Sequence, residues 1–526
     1  MSKRPRRNSE SVLRAETGTI IKSGGQVRVC LIFPNTYKVA ISNLGFQTIY
    51  RVLNNRPDTR CERGFLDPAL GLKSIETGTP FAQFDILAFS VAFELDFLGL
   101  ARVLVDCRVP LLSRERNSSH PLVVLGGACA TSNAEPVADF VDLVVVGEGE
   151  RAVHRLLDRV VRYHAPERME LLKDLAEVPG FYVPRFVRPV YGTDGAIVGV
   201  ESDVSKGARV DAPDEELLEP AFSQVTSPHT EFPNTFLIEV SRGCVNTCRF
   251  CLARRLYPYR VWPASKVLEM VDTFCPETVD KIGLVGAAVS DHPQIEEIAV
   301  SLLEREKKVS VASLRVDSTS ETLLRALAES GQRTVTFAPE VGTDRLRRVI
   351  GKNISEEILL EKTDAALSAG LKNIRLYFMV GLPSEEDEDV ASIVELSRNV
   401  AALVASRTKG RGRLSLSVSP FVPKPLTPFE LAPVERVETL ERRYATLRSG
   451  LSGCRRVTVK YESIRLAVLQ ALFARGDRQL GRLIALMVCE RMSYKRAMRQ
   501  AELDPDFYLY RVRTDTEMFP WQLSRV

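Results

Sequence analysis

The sequence predicts an α/β protein in two wound parts: a doubly wound parallel sheet, then a partial barrel of six strand–helix units, with a helical region behind them. Three observations predict it. Short, uniformly apolar runs such as Val27-Arg28-Val29-Cys30-Leu31-Ile32-Phe33 and Leu122-Val123-Val124-Leu125 recur through the first third, with helix-period segments between them. Strands apolar on both faces belong to parallel sheets covered on both sides. Six further strand-like runs follow at 235–240, 281–285, 309–313, 334–338, 373–380 and 413–418, mostly separated by helical ones. Directly after the first of these six stands a tight cysteine trio, at the carboxyl end of a strand, where such barrels place their chemistry.

The expected segments are a basic, disordered tail over 1–25, the doubly wound domain over 26–160, and a linker with a small β-ribbon over 161–234. The barrel spans 235–435 and the helical region 436–526. In the first domain, strands are expected near 27–33, 86–91, 122–125 and 143–146, with helices at 44–53, 97–105 and after Glu148. The loops at its strand ends are 34–45, Ser90-Val91-Ala92, Gly126-Gly127 and Gly147-Glu148-Gly149-Glu150, and ligands of such sheets sit at those ends. In the linker, Pro179-Gly180 breaks a helix and Thr193-Asp194-Gly195 reads as a hairpin turn. In the last region, charged helices are expected at 436–451, 463–474, 478–489 and 493–502, forming a cap on the open flank of the barrel.

Composition narrows the function classes. The chain has 526 residues, enough for about three domains. With 45% hydrophobic and 26% charged residues it reads as a globular protein, and a net charge of +4 gives no overall nucleic-acid signature. No run approaches the roughly 18 apolar residues of a membrane span. The start, Ser2-Lys3-Arg4-Pro5-Arg6-Arg7-Asn8, is basic without an apolar stretch behind it, so it is not a secretory signal. The ten cysteines form no disulfide framework, and the expected compartment is the reducing cytoplasm.

The chemistry concentrates in Ser241-Arg242-Gly243-Cys244-Val245-Asn246-Thr247-Cys248-Arg249-Phe250-Cys251, a C-x3-C-x2-C spacing. Three thiolates on one loop can hold three irons of a [4Fe–4S] cluster and leave the fourth iron open. The same residues could be part of a zinc site, which wants four ligands, with Cys275 and His292 the nearest downstream candidates. They could also be ordinary packed thiols.

The spacing resembles that of radical S-adenosylmethionine (SAM) enzymes. That resemblance implies metal ligation by Cys244, Cys248 and Cys251, SAM on the open iron, and an external electron donor of the flavodoxin or ferredoxin type. It implies SAM contacts at Phe250, which precedes the third cysteine, and at Gly286, where Gly286-Ala287-Ala288 stands in place of the family's Gly-Gly-Glu. It implies further contacts at Ser313 and Arg315 for the carboxylate, at Glu340 for the ribose, and at Val380 and Gly381 on the adenine side. A stiff loop, Pro420-Phe421-Val422-Pro423-Lys424-Pro425, would close the barrel mouth.

The first domain resembles the cobalamin-binding domains fused to such enzymes, through Gly126-Gly127, Glu135-Pro136 and Val146-Gly147-Glu148-Gly149-Glu150. Ser90, Gly126 and Gly127 would then line the cofactor, with glycines where backbone must approach closely. One departure stands out. The usual D-x-H-x-x-G signature, aligned on Gly45, reads Ala40, Ser42 and Gly45 here, so the axial His is absent. The whole arrangement resembles a poorly characterised group of radical SAM proteins. It implies cleavage of SAM to a 5'-deoxyadenosyl radical and, with cobalamin, methyl transfer to an unactivated carbon. Two other classes stay in view: an RNA- or protein-binding scaffold, motivated by the basic start and an Arg-rich C-terminal region, and a cobalamin sensor or carrier. Catalytic groups and substrate, RNA and protein included, are not specified by the residues.

Overall fold

The computed structural model describes residues 9–162, 168–203 and 217–524. The basic run at 3–7 and most of the acidic part of the linker lie outside them. Six strands, Val27–Phe33 (β1), Thr59–Phe65 (β2), Ile86–Ser90 (β3), Leu122–Gly126 (β4), Leu143–Val145 (β5) and Phe181–Tyr182 (β6), form one sheet in the order β2-β1-β3-β4-β5-β6. The first five are parallel and β6 is antiparallel to β5. The order reverses between β1 and β3, and a doubly wound sheet opens its ligand crevice at that reversal, beyond the carboxyl strand ends.

This first unit is longer than expected at both ends. Residues 9–25 are not a loose tail: helix Ser9–Arg14 buries Val12, and Thr17 bridges to Thr226. Arg63 is buried with Glu16 2.7 Å from its Nη2 and Glu76 2.6 Å from its Nε. A buried guanidinium needs such partners, because an unpaired charge in the interior is costly. Glu16 thus docks the segment on the sheet. At the other end β6 completes the sheet inside the span expected to be linker, and only Val187–Tyr191 (β7) and Ile197–Ser202 (β8) form the separate antiparallel ribbon.

The second part holds Thr235–Glu239 (β9), the short ribbon Ser241–Arg242 (β10) with Arg260–Val261 (β11), then Lys281–Val285 (β12), Lys308–Val311 (β13), Thr334–Glu340 (β14), Asn373–Val380 (β15), Leu414–Pro420 (β16) and Val457–Tyr461 (β17). They form two parallel sheets, β13-β12-β9 and β14-β15-β16-β17, joined by a parallel bridge from Leu314 to Phe337. One continuous core runs under both. The partial barrel therefore has a seventh strand, β17, in the stretch expected to be helical. Its alternating half-buried and exposed residues suit an edge strand and give no uniformly apolar run to read.

The C-terminal helices cap the barrel only in part: Val437–Gly450 packs into its core through Leu440, Tyr444 and Leu447, whereas the next two turn to the first domain. Ile464–Arg475 and Leu480–Cys489 share a core with Asp96–Asp106 of the first domain. Arg478 donates to Tyr182 (2.7 Å), Val187 (2.6 Å) and Glu135 (3.0 Å), and Asn133 donates to the carbonyls of Ala474 and Gly476. Arg475 is buried on the carbonyls of Tyr508, Glu430 and Ala432. Several arginines that made this region look like a surface for acidic partners are thus internal struts.

A second strut joins all three parts. Glu94, buried after β3, pairs with Lys424 of the loop after β16 and accepts from Gln470 at 2.9 Å. Beside it Asp96 accepts from Asn35 at 2.9 Å and faces Glu94 and no cation. Burial, helped by Glu94, pushes its carboxyl up to about 6 against the Asn35 hydrogen bond. A carboxyl with a raised folded pKa favours folding fully below its unfolded value and loses that contribution as pH rises through the folded one. Asp96→Asn is therefore expected to gain on wild type by about 2–3 kcal/mol between pH 4 and 7, read from the gap between their unfolding midpoints. A constant gap would show that Asp96 titrates normally.

Candidate functional site

The cysteine loop leaves the end of β9 and is closed by the β10–β11 ribbon, in which Ser241 faces Val261 and Arg242 faces Arg260. Gly243 enters it with φ +69°, and a Cβ there would lie 2.6 Å from the Pro258 carbonyl, so only glycine fits. On the far side, Arg249 donates its amide to Ile350 at 2.9 Å, and Gly351 (φ +74°) lies against the Thr247 carbonyl. Phe250 anchors the loop in a small apolar cluster with Val341, Leu346, Ile350, Leu382, Phe421 and Phe429.

Cys244, Cys248 and Cys251 are all partly exposed on this loop and unpaired. Among the described residues no three His, Cys, Asp or Glu side chains converge as on a single ion. A cubane cluster does not require that, since each thiolate binds a different iron. The surroundings suit ligated thiolates. Asn246 Nδ2 stands 3.6 Å from Cys244 Sγ, and the Ala253 amide donates to Cys251 Sγ at 3.5 Å. Burial pushes the Cys248 thiol up, while Lys352 and then Arg315 pull it down. Burial likewise raises Cys251 against the Ala253 hydrogen bond. Cations and N–H donors around the sulfurs favour the ionised form that a metal requires.

The other residues expected to touch SAM fall into different places. Glu340 ends β14 at φ +68° and pairs with Lys352 at 3.0 Å. Arg315 holds Asp317 through two hydrogen-bonding nitrogens, at 2.7 and 2.8 Å, so part of its guanidinium already has a carboxylate. Ser313 is exposed beyond the end of β13. Val380 is fully buried and its carbonyl accepts from Phe421 at 2.7 Å. The Gly381 amide donates to Glu385. The Val380 carbonyl and the Gly381 amide are thus already engaged within the protein. His292 is structural, with Nε2 2.9 Å from the Trp262 carbonyl.

Next to the loop lies a cavity of ≈ 450 Å³, between the carboxyl strand ends of the first sheet and the start of the barrel. Ser90, Gly126, Gly127 and Gly286 all line it, together with Gly243, Ala253, Leu256 and Tyr257 of the cysteine-loop region. The two central glycines differ. Gly127, at φ +103°, is required by the fold, because a Cβ would stand 2.6 Å from the Val91 carbonyl. Gly126 is under no such constraint: a Cβ there would meet nothing within 4 Å. It would project into open space that a ligand can use. Of the loop expected to carry an axial ligand, Asn43, Leu44 and Gly45 line the cavity. Ala40 is buried in helix Tyr37–Ala40, and Ser42 is turned to Lys38 and Glu231. Among the described residues no His lines the cavity.

Charged residues that sequence reasoning missed form the seam of this cavity. Arg242 binds Glu239 (2.9 Å), Glu150 (2.8 Å) and Glu148 (3.1 Å), and Arg260 binds Glu148 at 2.6 Å. Burial works against the Arg242 charge, but Glu150, Glu239 and Glu148 outweigh it and raise its pKa. Tyr257 beside them is pushed up to about 12 by burial against the nearby Arg242. The signal was present as two motifs, Gly147-Glu148-Gly149-Glu150 and the arginine before the cysteines, but nothing local says that they meet. Lys352 had no signal beyond following a glycine.

Comparison with known proteins agrees with this layout. Residues 45–184 match the N-terminal domain of radical SAM proteins, and residues 238–397 match the radical SAM superfamily. An uncharacterized protein of Methanocaldococcus jannaschii is 27% identical over 86% of this chain and 90% of its own length. A second protein of that archaeon, provisionally named a methylthiotransferase, is 22% identical over 70% of this chain and 74% of its own. Among solved structures, the radical SAM methyltransferase TsrM from Kitasatospora setae, with cobalamin and a [4Fe-4S] cluster bound, has a TM-score of 0.54 and 12% identity. The match covers 91% of this chain and 99% of that one, and it is a likeness of fold.

Proposed function

The chain carries the radical SAM domain and the N-terminal domain of radical SAM proteins, and from that premise we propose that it is a SAM-cleaving enzyme with a corrinoid in the cavity beside its cysteine loop. Cys244, Cys248 and Cys251 would hold a [4Fe–4S] cluster, and Ser90, Gly126, Gly127 and Gly286 would flank a cobalamin. When bound, the cluster supplies the electron that splits SAM to a 5'-deoxyadenosyl radical, and the corrinoid supplies a methyl carrier.

The chain's own residues do the rest. The Gly243 turn and the Ile350 contact fix the loop, so the three sulfurs are presented from one rigid support. Lys352 and Arg315 offset negative charge at Cys248, and Lys352 keeps Glu340 turned toward the cysteine loop. Apolar walls from Val29, Leu31, Ile49 and Val124 keep the cavity poor in water, which protects a reactive radical from quenching. Among the described residues no imidazole lines the cavity.

Gly126 is the observation that carries the corrinoid reading, since the fold itself does not need a glycine there. Gly126→Leu is expected to fill the cavity and lower cobalamin retention by about tenfold or more, a loss of about 1.4 kcal/mol or more, with the cluster spectrum unchanged. Anaerobic reconstitution with and without hydroxocobalamin, followed by absorption spectra, metal analysis and chromatography of SAM products, tests both halves. Wild type that takes up no cobalt from excess cobalamin would remove the corrinoid. Wild type that loads iron but forms no SAM cleavage product with reductant would remove the enzymatic reading.

A further inference from the structure

The cysteine loop has two flanks of opposite character. Its inner flank, through Gly243, Ala253, Leu256 and Tyr257, lines the cavity. Its outer flank is basic. Between Glu239 and Glu269 the chain carries Arg242, Arg249, Arg254, Arg255, Arg260 and Lys266, and no acidic residue. Arg242 and Arg260 turn inward to the carboxylates of the seam. Arg249, Arg254 and Arg255 stay exposed. Arg254 Nη1 rests on the Val245 carbonyl at 2.8 Å and Arg249 Nη1 on the Val349 carbonyl at 3.5 Å, which brings exposed Arg348 to the same rim. None of these four has an ion-pair partner among the described residues. Of the nearby acids, Asp344 pairs with Arg347 and Glu340 with Lys352, while Asp291 accepts from the neutral amide of Asn246 and keeps its charge. Two apolar side chains stand out of the same loop, Val245 at 50% and Tyr259 at 39% exposure.

We propose that this outer rim, Arg249, Arg254, Arg255 and Arg348 around Val245 and Tyr259, is the docking surface for an acidic one-electron carrier protein with a flavin or iron–sulfur centre. The inference rests on the cluster reading above. One electron passes from the reduced carrier to the oxidised cluster, the carrier leaves one electron poorer, and no bond or proton is involved. Electron tunnelling falls off exponentially with distance, so the carrier gains most by docking on the loop that holds the acceptor. The inner flank is taken by the cavity, which leaves the outer one. Four uncompensated positive charges attract an acidic partner over distances set by the ionic strength. The exposed Val245 and Tyr259 supply the apolar contact that protein interfaces place inside a polar rim. A single-stranded nucleic acid would use the charges and stack on Tyr259, but would gain little from Val245.

The test is stopped-flow reduction of the cluster-loaded, full-length protein, followed by bleaching of the cluster absorption. Reduced acidic flavodoxin is one donor and reduced methyl viologen, a small cation, the other. With flavodoxin, the wild-type rate should fall steeply as ionic strength rises. Arg254→Glu/Arg255→Glu should lower it by about 10–100-fold at low salt, with the viologen rate within about twofold of wild type. Arg348→Glu, on a different loop, should show the same selective loss, and it decides the matter if the double variant loads iron poorly. Flavodoxin reduction that is salt-independent and indifferent to all these substitutions would overturn the proposal. So would variants that lose retention of a single-stranded RNA oligomer yet are reduced normally, since the rim would then read phosphates. If viologen itself reduces no cluster in wild type, the cluster reading falls and this inference falls with it, which is distinct from a viologen-competent protein with an indifferent rim.

Discussion

Cys248→Ala is expected to abolish the iron–sulfur centre and with it all SAM cleavage. Wild type should load about four irons per chain, and the variant should retain almost none, lose the visible absorption, and form 5'-deoxyadenosine only at background. Cys248 is the middle thiol of the three and the one toward which Lys352 and Arg315 direct their charge. Without it the remaining two sulfurs cannot hold a cubane against solvent, and two cations are left with no thiolate between them. The fold should survive, because the side chain is only partly buried on a loop. The loop is fixed by Gly243, Phe250 and the Ile350 contact rather than by the sulfur. A change in the unfolding midpoint of the cluster-free protein worth less than about 1 kcal/mol is expected. Cys275→Ala is the matched control: that thiol points to the carbonyls of Pro276 and Val279 and should leave iron content unchanged. Iron near the wild-type level in Cys248→Ala would sink the assignment of the trio.

What the sequence disclosed, and what it hid, follows from the range of the interactions. The two-part α/β architecture was legible because many of its parallel strands, such as Ile86–Ser90 and Leu122–Gly126, are short apolar runs and their helices have a period of their own, whereas the mostly polar Thr59–Phe65 gave no such run and was not expected. The cysteine loop was legible because its spacing is a local property. β17 was not, because an edge strand alternates polar and apolar residues and looks like its charged surroundings. The docking of residues 9–25 rests on contacts with distant residues, such as Glu16 with Arg63, Thr17 with Thr226 and Ile20 with Tyr50, and no periodicity announces them. The Arg-rich tail misled for the same reason. Composition counts arginines, whereas Arg443 and Arg475 are buried and Arg478 is half-buried, against groups tens to hundreds of residues away. Resemblance carried some site residues further than spacing could, but it could not show that the Val380 carbonyl already accepts from Phe421 and the Gly381 amide already donates to Glu385, nor that Ser313 stands exposed.

Arg242→Met is expected to damage stability and cluster retention together, and for a reason that joins the two domains. Glu148 belongs to the loop after β5 of the first sheet and Glu150 to the first turn of helix Gly149–Arg162 behind it, while Glu239, Arg242 and Arg260 belong to the entrance of the cysteine loop. Three carboxylates face two guanidiniums, and Arg242 touches all three acids. These side chains are only 10–22% exposed, so water relieves little of an imbalance. Methionine keeps the stem and removes the charge, leaving Glu239 and Glu150 without the cation that now holds them. Breaking a buried pair typically costs about 3–5 kcal/mol, and the partial exposure here brings the expectation to about 2–4. Because Arg242 stands two residues before Cys244, the loss should appear both in the unfolding midpoint and as weakened retention of iron. Arg242→Lys should recover only part of it, since a single ammonium cannot bind Glu239 through two nitrogens and still reach the other two acids. A double-mutant cycle with Glu148→Gln separates a true contact from general damage. Coupling of about 1 kcal/mol or more is expected, and additivity within about 0.5 kcal/mol would show that the seam is not held by this pair. High salt should leave the coupling nearly intact, because screening acts weakly on charges this well covered.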